Sequence, residues 1–135
     1  MREYLFKAKT MPNDTIGSSR WIESYRIGNI HPDSVTVGGY QCYPESLGQY
    51  TGFLDGSNKK IFEGDIIKWL ERREMHDKTY CIGVVIWNDA RGIWKVINDK
   101  MPAYDFLCNI YVCSTIIGTY FDNPELLEEV KNETE

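Results

Sequence analysis

The chain contains one long apolar run with a single glycine inside it, Ile61-Phe62-Glu63-Gly64-Asp65-Ile66-Ile67-Lys68-Trp69-Leu70. Runs rich in isoleucine and aromatic residues are typical of β-strands. An isolated glycine within such a run indicates a bulge or a left-handed turn residue at Gly64. Because Ile66 and Ile67 follow on opposite faces of the strand, at least one of them is expected in the core.

Shorter runs of the same kind lie on both sides of this segment. Upstream, we predict strands over 3–9, 21–27 and 48–53, and a tight primed hairpin turn at Gly38-Gly39. Downstream, the polar residues 71–79 predict an exposed hairpin connection, and further strands are expected over 80–87, over 93–97 and near 111–121. Residues 101–108 are ambiguous, with a short helical turn after Pro102 as one interpretation. Short strands separated by turn signals favour a mainly β barrel or sandwich.

A short helix is expected after the last predicted strand. Asn123 is a suitable N-cap, Pro124 suits the first helical position, and acidic residues follow. Leu126, Leu127 and Val130 would share one face of this helix and dock it on the barrel.

The composition is that of an ordinary globular protein, with 42% hydrophobic and 26% charged residues in 135. No apolar segment resembling a signal peptide follows the N-terminus, and no run approaches the ~18 apolar residues of a membrane helix. We therefore expect a cytoplasmic protein, without membrane contact.

The net charge of −5 is concentrated near the C-terminus. Residues 125–135 contain five glutamates and one lysine, and the remainder of the chain is close to neutral. A nearly neutral body gives little counterion-release drive for duplex nucleic acid. A nucleic-acid partner is thus disfavoured, although it is kept as an alternative.

No metal, cofactor or catalytic site is predicted. The four cysteines, Cys42, Cys81, Cys108 and Cys113, show no C-x-x-C spacing, and only His31 and His76 accompany them. If Cys108 and Cys113 share one strand, their odd separation places them on opposite faces. Neither a phosphate-binding glycine motif nor a nucleophile signature occurs. We interpret the cysteines as small buried residues, and the protein as not an enzyme.

Two charged clusters have a structural interpretation beside a functional one. Glu63 and Asp65 could converge for acid–base or metal chemistry, but Gly64 between them favours a bend held by hydrogen bonds from the backbone to an acid. Arg72, Arg73 and Lys78, with His76, form a basic cluster. Glu71, Glu74 and Asp77 are interleaved with it, so a solvated loop is the favoured interpretation.

Aromatic residues supply the one candidate binding surface. Tyr50, Trp69, Trp87 and Trp94, with Phe53 nearby, would form a platform for a peptide or a single-stranded nucleic acid if they are exposed. On alternating strands, at least half of them are expected to point into the core.

Several segments together resemble the YopX-like family of phage and prophage proteins. The matching pieces, which follow Pro44-Glu45-Ser46-Leu47, are Gly48-Gln49-Tyr50-Thr51-Gly52-Phe53-Leu54-Asp55, Lys60-Ile61-Phe62-Glu63-Gly64-Asp65-Ile66-Ile67-Lys68, Gly83-Val84-Val85-Ile86-Trp87 and Ile117-Gly118-Thr119-Tyr120-Phe121-Asp122-Asn123-Pro124-Glu125-Leu126-Leu127. The chain departs from the family pattern in the turn at Ser57-Asn58, and residues 1–43 match only loosely.

The resemblance implies an SH3-like small barrel over 44–135 with a short C-terminal helix, and a β-rich N-terminal extension over 1–43. It implies no activity, cofactor or catalytic residue. The leading hypothesis is a phage-encoded accessory protein that binds a host or phage protein or assembles with itself. The alternative is a small barrel that binds RNA or single-stranded nucleic acid. Open strand edges and a nearly neutral body favour a homo-oligomer, most simply a two-fold dimer.

Overall fold

The structure, a computed structural model, describes residues 3–74, 77–98 and 105–128. Contacts divide the chain into two compact units, Met1–Gly52 and Phe53–Glu135. Strands make up 51% of the structure and helical turns 12%, so the mainly β prediction is confirmed. The domain boundary between residues 43 and 44 stays a prediction.

The first unit contains two small antiparallel sheets. One has the order β2-β1-β6 and the other the order β3-β4-β5. The strand β6 continues beyond Gly52 into the second unit, where it neighbours β7. The strands are β1 Phe6–Lys9, β2 Trp21–Ser24, β3 Ile27–Gly28, β4 Val35–Val37, β5 Tyr40–Cys42, β6 Gly48–Leu54 and, in the second unit, β7 Lys60–Phe62.

The turn between β4 and β5 has the geometry expected from its two glycines. Gly38 and Gly39 have φ angles of +59° and +86°, as a primed hairpin turn requires, so that prediction is confirmed. The hairpin contributes buried side chains to the core of this unit. That core consists of Ala8, Val35, Val37 and Cys42, with Ile22, Ile27 and Leu47 packed against it.

The second unit is built on a five-stranded antiparallel sheet of order β11-β10-β9-β8-β12, curled into a half barrel. Short helical turns precede and follow its last strand. The elements are β8 Asp65–Glu74, β9 Asp77–Asn88, β10 Ile93–Ile97, β11 Asp105–Phe106, the helix α1 Leu107–Ile110, a 3-10 helix Tyr111–Cys113, β12 Ser114–Thr119 and a 3-10 helix Pro124–Glu128.

Each face of this sheet packs into a separate core. The larger core lies on the first face and consists of Ile61, Ile67, Trp69, Cys81, Val85, Trp94, Val96, Leu107 and Ile110. On the second face, the smaller core contains Ile66 and Ile82, covered in part by Leu126 and Leu127. The predicted docking of these two leucines is therefore confirmed, whereas Val130 lies outside the described residues.

The 3-10 helix at Pro124–Glu128 is anchored to the sheet through Asn98. The side-chain amide of Asn98 donates hydrogen bonds to the carbonyl oxygens of Ile82 (2.9 Å) and Leu127 (3.1 Å). Pro124 takes the first position, as predicted. Asn123 acts differently from the predicted N-cap, because its Oδ1 accepts a hydrogen bond from the N–H of Thr119, 3.3 Å away, on the preceding strand.

Three element predictions need correction. The last strand begins at Ser114, because residues 111–113 form a 3-10 helix. Cys108 and Cys113 consequently lie in helical turns and not on one strand. The hairpin connection is shorter than 71–79, since paired strands extend to Glu74 and resume at Asp77. For the ambiguous segment, residues 101–104 lie outside the described part, and α1 begins at Leu107.

Gly83 allows β9 and β10 to approach closely at the centre of the sheet. A Cβ atom there would lie 2.7 Å from Val96 Cγ1 and 2.8 Å from the Ile97 carbonyl oxygen. We expect Gly83→Ala to destabilise the protein by about 1–3 kcal/mol, the usual range for overpacking a core. Gly28→Ala is the control, because Gly28 has an ordinary φ angle and open space around it. Equal urea midpoints for the two variants would contradict the prediction.

Within the described part of the chain, none of the helices has the length and hydropathy needed to cross a membrane.

Candidate functional site

The four aromatic residues of the predicted binding surface differ in their exposure. Trp69 and Trp94 are buried in the larger core of the second unit, with 6% and 9% of their surfaces exposed. Trp87 is 39% exposed, and its ring contacts that of Trp94 edge-on, with centroids 4.9 Å apart. Tyr50 is half-buried in the first unit. Two of the three tryptophans thus point into the core, and Trp87 presents the largest exposed fraction.

Phe53, the fifth aromatic residue considered, lies in the second unit. It packs against the larger core, and its ring centroid is 4.8 Å from that of Tyr111. Phe53 therefore extends the larger core.

The acids beside Gly64 belong to a turn between β7 and β8. Asp65 is fully buried, and its Oδ2 accepts a hydrogen bond from the backbone N–H of Phe62, 2.8 Å away. Gly64 has a φ angle of +91°, and its N–H donates to the Val85 carbonyl. These contacts support the predicted role of an acid that holds a bend.

Asp55 is a second buried acid, and the sequence interpretation did not single it out. Its Oδ1 accepts hydrogen bonds from the N–H groups of Ser57 (2.8 Å) and Lys59 (2.9 Å) in the following turn. Its Oδ2 accepts from the N–H of Ile116, 3.1 Å away on β12. The hydrogen bonds in the following turn could have been predicted, since an aspartate side chain commonly accepts a hydrogen bond from the backbone two residues later. The contact with β12 could not, because it joins residues 61 positions apart.

The environment of Asp55 lowers the pKa of its carboxyl group. Burial alone would raise the pKa of this carboxyl group, but the three backbone hydrogen bonds, together with the charge of Lys59, outweigh it and lower the pKa below its ordinary value. Asp55 is therefore an ionised structural acceptor at neutral pH.

Asp55 and Gly56 also cover the outer edge of β12. The N–H of Gly56 donates to the carbonyl oxygen of Ser114, 2.8 Å away, beside the bond from Ile116 to Asp55. A Cβ at Gly56 would lie 2.9 Å from the Val112 carbonyl oxygen, so the close approach needs glycine. This edge is protected from pairing with another chain by a side chain and a turn.

The second face of the five-stranded sheet has a surface of mixed character. Beyond the area packed against Leu126 and Leu127, it contains half-buried aliphatic side chains and an exposed tyrosine. Strand alternation places Leu70, Tyr80, Ile86, Ile93 and Ile97 on this face. Tyr80 is 48% exposed, and Lys68 Nζ lies 4.7 Å from its ring centroid. Such a pairing is a cation–π contact.

The backbone pairing of β8 with β9 continues along their hairpin. The register pairs Lys68 with Ile82, Leu70 with Tyr80 and Arg72 with Lys78. The side chains of Arg72, Arg73 and Lys78, the basic cluster of the sequence, lie outside the described part of the structure. His76, which was grouped with them in sequence, lies outside the described residues.

The cysteine side chains that the structure describes are those of free thiols. Cys42 and Cys81 are buried and Cys113 is exposed. Burial raises the pKa of Cys42, although a backbone hydrogen bond from Val37 opposes the shift, so this thiol is protonated at neutral pH. Among the described residues, no group of three histidine, cysteine or acidic side chains is arranged to hold a metal ion.

Comparison with known proteins gives one family. The profile of the family described as YopX protein matches residues 6–128, which is most of the chain. No curated protein matches the chain significantly.

Proposed function

The chain belongs to the YopX family, and from that premise we propose that it is a protein-binding module without catalytic activity, whose first partner is a second copy of itself. The observation that carries the proposal is the second face of the five-stranded sheet, which carries half-buried isoleucines and, further along β9, an exposed tyrosine. Surfaces that combine apolar and aromatic side chains with a polar surround are typical of protein contacts.

The proposal includes the biological setting that the family resemblance implies. The chain is a phage or prophage accessory protein that acts in the host cytoplasm, and a host or phage protein is a further partner. Neither cofactor nor metal takes part.

Self-assembly gives the first test. We expect multi-angle light scattering at micromolar concentration to report about twice the chain mass of 15.7 kDa, because two copies suffice to cover both second faces. A mass of 15.7 kDa at every concentration would contradict self-assembly. In that case a pull-down from infected host cells would test for a different protein partner.

A second candidate function is the binding of single-stranded nucleic acid. Cations stacked on aromatic rings favour it, since Lys7 and Lys9 lie 5.0 and 5.9 Å from the Trp21 ring in the first unit. Bases stack on aromatic rings while lysines neutralise phosphates. Fluorescence anisotropy of a labelled oligonucleotide in low and high salt tests this candidate, and Trp21→Ala should weaken any binding seen.

A further inference from the structure

The segment that follows β12 packs on the second face of the five-stranded sheet. It comprises residues 121–128, which turn after β12 and end in the 3-10 helix Pro124–Glu128, and we refer to it as the strap. So short a helix is unstable by itself in water, because nucleating it costs more than its few hydrogen bonds return. The strap therefore depends on its contacts with the sheet for its order.

Apolar packing and one shared amide hold the strap on the sheet. Leu126 and Leu127, both half-buried, pack against Ile66 and Ile82. The Asn98 amide joins the two parts, because it donates to the Leu127 carbonyl oxygen on the strap and to the Ile82 carbonyl oxygen on β9. The first of these hydrogen bonds breaks if the strap leaves, whereas the second stays within the sheet. Asn98 is thus placed to act as a latch.

The turn between β12 and the 3-10 helix is the point where the strap can separate. The N–H of Tyr120 donates to the Gly64 carbonyl oxygen, 2.8 Å away, and fixes the chain to the sheet up to this residue. Beyond it, the N–H of Asn123 donates to the Thr119 carbonyl oxygen (2.7 Å) and that of Leu126 to the Asn123 carbonyl oxygen (3.1 Å). These two bonds join residues at most four positions apart, so they shape the turn without tying it to another strand.

The strap covers side chains that strand alternation would otherwise leave on an open face. Ile66 and Ile82 lie beneath it and are 0% and 2% exposed. Ile86 and Ile93 belong to the same face but lie outside the smaller core, and they are half-buried. An opened strap would therefore add Ile66 and Ile82 to the apolar part of the second face.

We propose that the strap opens as a unit while the sheet stays folded, and that this opening controls how much of the second face a partner can reach. Elements with few buried apolar contacts open at a lower free energy than the core strands of the same domain. The closed form is the major one, because a segment tethered by a few residues has an effective concentration in the millimolar range at its own site. The control of the face rests on the protein-binding function proposed above.

Amide hydrogen exchange followed by NMR measures the opening in the full-length protein. We expect the N–H groups of Asn123 and Leu126 to exchange faster than those of β8, which is paired on both sides. Their exchange should also depend less on urea, because opening the strap exposes less surface than unfolding. Equal rates and equal urea dependence for the strap and β8 would overturn the opening.

Two variants act on different contacts of the strap. Asn98→Ala removes the latch and Leu127→Ala removes apolar packing, and each should speed exchange at Asn123 and Leu126 by about tenfold while β8 is unchanged. The control is Glu125→Ala, since this side chain is exposed on the same helix. Circular dichroism confirms that each variant is folded. Variants that speed exchange in β8 as much as in the strap would overturn the proposal.

Light scattering tests the control of the face. If partner binding needs the open strap, the dimer dissociation constant of Leu127→Ala should be at least about tenfold lower than that of Glu125→Ala, because apparent affinity follows the population of the competent state. Equal constants for the two variants would overturn this control while self-assembly stands. A wild type and variants that all stay monomeric would reject self-assembly, and the control with it, while hydrogen exchange alone decides whether the strap opens.

Discussion

Replacing Ile67 by alanine is expected to lower the free energy of unfolding by about 2–5 kcal/mol, the usual range for emptying a large core position. The side chain of Ile67 is fully buried among Trp69, Cys81 and Val85 in the larger core. Removing it leaves a cavity that the sheet cannot close, because β9 and β12 flank it on both sides. Urea titration followed by tryptophan fluorescence measures the effect, since Trp69 and Trp94 lie in the same core.

The control for this substitution is Val112→Ala. Val112 is 70% exposed, so its removal should leave the urea midpoint nearly unchanged. Ile66→Ala provides a second comparison, because Ile66 is equally buried but lies in the smaller core of the second face. If Ile67→Ala and Val112→Ala gave the same midpoint, the assignment of Ile67 to the core would be wrong.

Replacing Asp55 by alanine should destabilise the protein by about 2–4 kcal/mol at neutral pH, because hydrogen bonds to a charged acceptor contribute ~1.5–3 kcal/mol each and water replaces part of them. Asp55→Asn isolates the contribution of the hydrogen bond from Ile116 on β12. The amide oxygen retains the bonds from Ser57 and Lys59, but the amide nitrogen faces the N–H of Ile116. We therefore expect Asp55→Asn to lie between the wild type and Asp55→Ala.

The effect of Asp55 must also depend on pH. Its pKa is lowered in the folded state, so its stabilisation is fully present above the unfolded pKa of ~3.9. It is lost as the pH falls through the folded pKa, since the unfolded chain then binds the proton more readily. The difference in unfolding free energy between the wild type and Asp55→Asn should accordingly be constant from pH 7 to 5 and shrink below pH ~4. A difference that does not change on acidification would contradict this account.

Much of the secondary structure could be predicted because its causes are local. The glycine pair at 38–39 and the apolar run at 93–97 correspond to a hairpin turn and to β10 as expected. Gly64 takes the positive φ angle that an isolated glycine in a strand pattern indicates. Errors arose where local preference is weak. Residues 111–113 are apolar enough for a strand, yet they turn as a 3-10 helix before β12.

The candidate surface could be predicted less well, because exposure depends on what packs above each strand. Trp69, Trp87 and Trp94 are similar in sequence context, yet Trp69 and Trp94 are buried and Trp87 is partly exposed. Lys68 and Tyr80 are 12 residues apart in sequence, and only the register of β8 with β9 brings them together. The polar hairpin was interpreted as a solvated loop because acidic residues are interleaved with its basic ones.

The sequence by itself determined the strand content, the glycine-dependent turns and the family, since each depends on residue type and on spacing along a short segment. Only the tertiary structure decided which strand edges are covered and which face remains open. Asp55 and Gly56 close the edge of β12 from a turn about 60 residues away, and Leu126 and Leu127 bury Ile66 on a face that strand alternation alone would leave to solvent. Both outcomes depend on contacts between distant segments, and the free energy of such contacts is set by packing and hydrogen-bond geometry that no local pattern of residues encodes.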